Sequence, residues 1–198
     1  SMFLSIPASI ALVIGSEQII SALFGYGSFT EASVSNSSKA LYYFSLGLPA
    51  FALIKVFSTF FFANHDTKTP FYISLVSVLL NILISVYFFK DIGFIIIPIA
   101  TTISSWFNSI TLFIFLKNND LFSFNEIFLK KFVKIISVSI MMGFFFKYLI
   151  LFFENQLSYT FFLKSAYMIL CVFLTILFYL ILSYFIKAFN YNDIKIKY

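Results

Sequence analysis

The stretch that decides the fold is Ala40–Pro70, ALYYFSLGLPAFALIKVFSTFFFANHDTKTP. Ala40 to Phe62 is apolar over about 23 residues, enough at 1.5 Å per residue to cross a bilayer core of roughly 30 Å. Three features set it apart from a helix that meets only lipid. Gly47 and Pro49 interrupt it, Lys55 places a charge inside it, and Asn64–Thr69 closes it as a short polar turn before Pro70. An intramembrane lysine is costly unless it faces protein or water, so this span is expected to border a polar interior.

Outward from that stretch, composition sets the class. Hydrophobic residues make up 61% of the chain and charged ones 11%, with a mean hydropathy of +0.99, against about 25% charged residues in a soluble domain. The chain reads as an all-α integral membrane protein. Its 13 basic residues are all lysine and Phe occurs 31 times, a bias attributed to an AT-rich genome. The net charge of +5 does not mark a nucleic-acid partner, because the lysines flank apolar spans and form no basic groove with interleaved aromatics. The one cysteine, Cys171, lies mid-span and offers neither a disulfide nor a cysteine metal cage. Ser1 opens directly into apolar sequence without a basic leader, and is read as the cut end of a longer chain.

Six spans are expected. The first runs from Ser1 to about Phe24, with Pro7 early in it and Glu17 marking an interface near its far end. Gly25–Ser38, with its glycines and serines, reads as an exposed loop. Ala40–Phe62 is the second span, and His65 and Asp66 shape the turn that caps a third span from Pro70 to about Phe89. Lys90–Gly93 is a tight connection into the fourth span, which ends near Leu116. A polar loop, Lys117–Lys131, precedes spans five (about Phe132–Phe153) and six (about Thr160–Ile186), which are separated by Glu154–Ser158. An even number of spans puts both ends on one side. Lys68, Lys117, Lys130, Lys131, Lys134, Lys187, Lys195 and Lys197 fall on that side, against Lys39, Lys90, Lys147 and Lys164 on the other. The positive-inside rule then makes the C-terminus cytoplasmic, with Lys147 snorkelling to the headgroups.

Polar residues inside the spans are ordered. Ser74, Ser77, Asn81 and Ser85 share one face of span three, and Thr101, Ser105, Asn108 and Thr111 or Leu112 one face of span four. Counted from the tight connection, Asn81 and Thr101 lie at the same depth, roughly 12 Å down, and should meet near the midplane. Such stripes glue membrane helices together by hydrogen bonds, or line a water-filled cavity for a polar group. Lys55 tilts the choice towards the cavity, because a packing interface needs no ammonium. Spans five and six are apolar nearly all round, apart from a weak stripe through Cys171, Thr175, Tyr179 and Ser183. They read as lipid-facing, packed at the edge of the bundle or offering a groove to an acyl or polyprenyl chain. Enzyme chemistry finds no support: His65 is the only histidine, with no nucleophile or metal ligands at suitable spacing, and all eight acidic residues fall at loops or span ends.

Motifs then point to a family. Ile6-Pro7-Ala8, and Leu23-Phe24-Gly25-Tyr26-Gly27-Ser28-Phe29-Thr30, resemble a proline-bearing span and the loop after it. Ala40-Leu41, Tyr43, Gly47-Leu48-Pro49, Lys55-Val56, Phe61, Ala63, Asp66-Thr67-Lys68-Thr69-Pro70 and Asn81 resemble the signature that follows. Together they are similar to the MurJ (MviN) lipid II flippase family, within the superfamily that also holds polysaccharide exporters and multidrug efflux proteins. The likeness covers the first four spans by motif, and spans five and six by position and character.

The resemblance implies a fourteen-helix protein of two six-span lobes around a central cavity, with two appended C-terminal spans. On that plan residues 1–117 are the last four spans of the C-terminal lobe, and residues 118–198 a cytoplasmic loop, the two appended helices and a tail. The N-terminal lobe of the same protein, with its arginine-rich cavity positions, is the missing partner. It further implies a multi-pass protein of the bacterial cytoplasmic (inner) membrane in peptidoglycan and cell wall biogenesis. Its substrate would be lipid II, an undecaprenyl-diphosphate-linked precursor, moved from the inner to the outer leaflet by alternating access. Lys55, Asn81, Thr101, Ser105 and Asn108 would then be cavity residues, Gly47 and Pro49 a hinge, and the appended helices a groove for the polyprenyl tail, among membrane lipids. No cofactor is called for. Coupling would be to sodium, with Asn81 and Thr101 as candidate oxygen ligands, or to membrane potential; Ser85 stands where a carboxylate would help. The alternatives are a polysaccharide-unit exporter or efflux transporter of the same superfamily, and a non-transporting membrane scaffold.

Overall fold

The computed structural model describes residues 1–118 and 126–186, the side chains of 126–128 excepted. Asn119 and Asp120 of the polar loop, the side chain of Glu126, and Lys187, Lys195 and Lys197 of the tail lie outside the described residues. The described residues form six helices: α1 Met2–Phe24, α2 Glu31–Ala63, α3 Lys68–Ile92, α4 Ile96–Asn118, α5 Glu126–Phe152 and α6 Lys164–Phe185. Five apolar stretches are long enough to cross a membrane, and the longest, Lys68–Asn118, holds two helices. α3 and α4 fold back on each other at a 3-10 turn, Gly93–Ile95, entered by Gly93 at φ 73°, a backbone state that glycine adopts without strain.

Several boundaries differ from expectation. Most of Gly25–Ser38 is helix rather than exposed loop. Thr30, in extended backbone, accepts the Ser33 amide at 3.3 Å, and Glu31 in the first turn suits the positive end of the helix dipole. Serine lowers helix propensity only mildly, and burial of Val34 and Ser38 outweighs it. α3 begins at Lys68, two residues before Pro70, and continues to Ile92. α5 starts at Glu126 rather than Phe132, and α6 at Lys164 rather than Thr160.

Packing does not follow chain order. α4 returns onto α2, α3 packs mainly on α4, and α1 sits between α2 and α5, so the helices line up as α3, α4, α2, α1, α5, α6. One apolar cluster, Phe57, Phe61, Ile73, Leu112 and Leu116, joins α2, α3 and α4. Another, around Phe146, Leu149, Met168 and Cys171, joins α5 and α6 with Ala22 of α1. The weak stripe of α6 is its packing seam: Cys171, Thr175, Tyr179 and Ser183 are all buried. The opposite face, with Ile169, Phe173, Ile176 and Leu180, is exposed, as expected of a lipid-facing helix.

Two interior prolines are each compensated by a neighbouring helix. Proline lacks an N–H, so the carbonyl four residues earlier loses its helical partner. For Pro49 that carbonyl belongs to Ser45, and it accepts the Ser9 hydroxyl of α1 at 2.6 Å. For Pro7 it belongs to Phe3, and it accepts the Tyr179 hydroxyl of α6 at 2.7 Å. Beside Pro49, α4 adds two more bonds, Thr102 Oγ1 to the Tyr43 carbonyl at 2.6 Å and Trp106 Nε1 to the Leu46 carbonyl at 3.0 Å. Ser9→Ala is expected to cost about 1–2 kcal/mol, because the Ser45 carbonyl is left buried and unpaired. In a Pro49→Ala background the same change should cost less, since Ala50's neighbour regains an N–H for that carbonyl; a double-mutant cycle of thermal unfolding in detergent measures the difference.

The turn after α2 behaves as expected. His65 adopts a left-handed φ of 58°, and Asp66 Oδ1 accepts the amides of Lys68 and Thr69, each at 3.0 Å, capping α3. Hydrogen bonding from the Thr69 side chain, then from its amide, holds the Asp66 carboxyl below its ordinary value of 3.8. A lowered carboxyl pKa contributes stability that is present above the unfolded value and lost as pH falls through the folded one. The stability difference between the parent and Asp66→Ala should therefore be constant near neutral pH and shrink below about pH 4, read from melting curves across pH.

Candidate functional site

The two polar stripes meet. Asn81 Nδ2 donates to Thr101 Oγ1 at 3.1 Å and to Ser104 Oγ at 3.3 Å, and Asn108 Nδ2 donates to Ser74 Oγ at 3.4 Å. These pairs are antiparallel across the α3–α4 hairpin, as equal depth from the connection requires. Between them lies a groove of about 260 Å³, lined by Ser74, Ser77, Asn81, Thr101, Ser105 and Asn108 among others, with Phe51 and Ile54 of α2 on its flank. Most hydroxyls here are occupied by their own helix: Thr101 donates to the Ile97 carbonyl, Ser105 to Thr102 and Ser77 to Ile73. Among the described residues Asn108 Oδ1 and Ser85 Oγ are buried without a partner. Asn108, which lines the groove, thus keeps an uncommitted amide oxygen behind its wall, next to the interhelical hydrogen-bond seam. Ser104 was not singled out by sequence, although it lies one turn from Thr101 on the same face.

Lys55 is not brought against these residues. It is exposed on α2 and is not among the residues that line the groove. Gly47 and Pro49 lie in an unbroken helix. Gly47 marks close approach of α2 to α4: a Cβ there would come within 3.1 Å of Thr102 Oγ1 and 3.4 Å of Ser105 Oγ.

A second, apolar groove lies on the other side of the bundle. One part, about 450 Å³, is lined by α1, α5 and α6 residues including Pro7, Ala11, Phe146 and Tyr179. Another, about 480 Å³, continues between α1 and α6 to Leu23 and Ser165, and the two share Leu12, Ile19, Val172 and Ile176. An extended hydrocarbon chain fits such a run.

Lys164, which sequence reasoning places on the side opposite the termini without a site role, is 1% exposed. Its Nζ donates to the carbonyls of Gly25 and Tyr159, each at 2.6 Å, and lies 4.5 Å from the ring centres of Tyr26 and Tyr159. Gly25 caps the C-terminus of α1, so a cation from α6 sits at the negative end of the α1 dipole. Tyr159 donates to the Phe29 carbonyl and Ser165 to the Ala22 carbonyl, fastening the start of α6 to the α1–α2 connection.

Comparison with known proteins bears directly on this arrangement. The family model described as lipid II flippase MurJ matches residues 1–168. The chain belongs to the lipid II flippase MurJ family. A probable lipid II flippase MurJ of Rickettsia prowazekii is 36% identical over 107 residues, 54% of this chain and 21% of that protein. One from Buchnera aphidicola subsp. Schizaphis graminum is 29% identical over 199 residues, 97% of this chain and 38% of that protein. A solved lipid II flippase MurJ in an inward closed conformation superposes with a TM-score of 0.75 at 27% identity, over 94% of this chain and 37% of that one. The chain therefore spans about a fifth to two fifths of the MurJ proteins it matches. The structure accounts for its MurJ-like loop motif: Gly25 leaves room for Lys164, Gly27 takes a φ of 61°, and Thr30 caps α2.

Proposed function

We propose that this chain forms part of a membrane flippase that moves lipid II across the bacterial cytoplasmic membrane by alternating access. The observation that carries the proposal is the pairing, in one bundle, of a polar groove between α3 and α4 with an apolar groove along α1 and α6. An amphiphile with a charged sugar head and a polyprenyl tail needs both: a path for the head and a surface that keeps the tail in hydrocarbon. Its relatives in Rickettsia prowazekii and Buchnera aphidicola, both probable lipid II flippases, support the same substrate. In this proposal residues 1–117 belong to a C-terminal lobe, and α5 and α6 are the appended pair; the C-terminus is cytoplasmic.

Within that scheme the head group passes Asn81, Thr101, Ser105 and Asn108, with Lys55, exposed on α2, as the cation that meets the diphosphate. Gly47 and Pro49 let α2 flex against α4. The Ser45 carbonyl, which Pro49 deprives of its helical donor, is held by the Ser9 hydroxyl of α1 instead of by α2's own ladder, which supports a point of lower stiffness there. Coupling to sodium would use Asn81 and Thr101. The donor set there is neutral oxygen, which suits a weakly held monovalent ion, and membrane potential is the other drive.

Complementation tests the proposal. The full-length gene is expressed in cells depleted of their own lipid II flippase, alongside Lys55→Ala and Asn108→Leu at matched membrane levels. Rescue by the parent and loss in both variants is the expected result. Failure of the parent would point instead to an exporter of the same superfamily, and rescue by both variants would remove the groove from the transport path.

A further inference from the structure

The path from the apolar groove to the polar one crosses α1 and α2, and on each of them the carbonyl that a proline leaves free is served by a hydroxyl from the next helix. The side chains concerned form a line. Tyr179 of α6 donates to the Phe3 carbonyl freed by Pro7, and both Tyr179 and Pro7 line the apolar groove. Ser9 follows Pro7 by two residues and is 7% exposed; it donates to the Ser45 carbonyl freed by Pro49. Two residues on from Ser45, Gly47 meets α4 at Thr102 and Ser105. Thr102 donates to the Tyr43 carbonyl, and Ser105, which donates to the Thr102 carbonyl, lines the polar groove.

These joints differ from hydroxyl bonds that stay within one helix. Ser77, Thr101, Ser139 and Thr175 each return to the carbonyl four residues earlier and tie nothing to a neighbour through it. A carbonyl that a proline has freed has no donor in its own ladder, so its bond fastens one helix to another. The hydroxyls of Tyr179 and Ser9 thus fasten α6 to α1 and α1 to α2 at the two points where a proline lowers helix stiffness. A hydrocarbon chain in the apolar groove touches the first of these joints directly, because Tyr179 and Pro7 are part of the groove wall.

We propose that Tyr179 and Ser9 are positioning residues for transport: through the Phe3 and Ser45 carbonyls they set α2 against α4 according to whether the apolar groove is filled. This rests on the reading of the two grooves as surfaces for the tail and the head of one amphiphile. The apolar groove is formed with both joints made. A chain that fills it therefore stabilises the joined arrangement, and with it the contact of Gly47 with the Ser105 wall of the polar groove.

The test uses the purified full-length protein in nanodiscs, with Ser74→Cys at a half-buried position of the polar groove and no other reactive cysteine. Its reaction with a water-soluble thiosulfonate is followed with and without a long-chain polyprenol, a tail that has no head group. The polyprenol should slow the reaction at least about fivefold, and Tyr179→Phe or Ser9→Ala should each cut that effect to less than about 1.5-fold. Pro7→Ala separates positioning from stability, because it returns an N–H to the Phe3 carbonyl without linking α6 to α1. The double variant Pro7→Ala/Tyr179→Phe should melt like Pro7→Ala yet show no polyprenol effect; Ser9→Ala with Pro49→Ala is read in the same way at the second joint. An effect that returns in either double variant overturns the proposal, as does an unchanged or faster reaction in the parent, or an effect that survives both single variants. Complementation is read separately. Rescue of flippase-depleted cells without a polyprenol effect overturns the coupling alone, and a polyprenol effect without rescue overturns the flippase reading alone.

Discussion

Lys164→Met is expected to destabilise the protein by about 2–4 kcal/mol. Methionine keeps the length and apolar volume of the side chain but removes its ammonium, leaving the Gly25 and Tyr159 carbonyls without their donor. Each buried orphan acceptor costs about 1–3 kcal/mol, and the lost contacts with the two tyrosine rings add about 0.5–1 kcal/mol each. Relief of the lysine's own desolvation offsets part of that sum. Lys39→Met, at an exposed position, is the control and should change stability by less than about 0.5 kcal/mol. Thermal unfolding of the detergent-solubilised full-length protein compares the two. Equal melting temperatures for both variants would mean that the clasp contributes nothing. Limited proteolysis should also reveal an α1–α2 connection that opens only in Lys164→Met.

Gly143→Leu is the second large effect, and it acts through volume instead of charge. A Cβ at Gly143 would fall 2.6 Å from Ile10 Cγ2 and 3.0 Å from Ile14 Cδ1, both on α1. The reverse contact is as tight, since a Cβ at Gly15 would fall 2.7 Å from the Phe146 ring. Small residues on each helix thus receive large ones from the other, which is how membrane helices gain close packing without a hydrophobic drive. Overpacking of this kind costs about 1–3 kcal/mol, and leucine at Gly143 belongs at the upper end because the clash begins at its first carbon. Phe144→Leu, on the 72%-exposed neighbour, should be near neutral. Because α5 carries α6, pushing it from α1 should also distort the apolar groove. Rescue of flippase-depleted cells by Gly143→Leu should then fall even when the protein reaches the membrane.

Most of the polar groove was legible beforehand. Helical periodicity put Asn81 and Asn108 on stripes, and the tight connection at Gly93 set their depth, so the Asn81–Thr101 bond followed from counting residues. Lys164 was not legible, because a lysine beside an apolar run is ordinarily a headgroup anchor. Its burial depends on Tyr159, five residues before it, and on the Gly25 carbonyl and Tyr26, which are remote in sequence and meet it only after α1 and α6 pack. The start of α2 was misjudged for a related reason. Serines at 33, 35, 37 and 38 resemble a loop, and only the cap at Thr30 and the burial of Val34 and Ser38 make them helical.

By itself, the sequence determined that this is a membrane bundle, which helices carry polar faces, and the family to which the motifs belong. Those properties depend on local period, span length and composition, which are written along the chain. Only the tertiary structure decided the helix order, the partners of the carbonyls that Pro7 and Pro49 leave free, and the clasp at the α1–α2 connection. Each of these is set by which backbone acceptors and which gaps between side chains come to face each other once the helices pack, and no pattern within one helix specifies that.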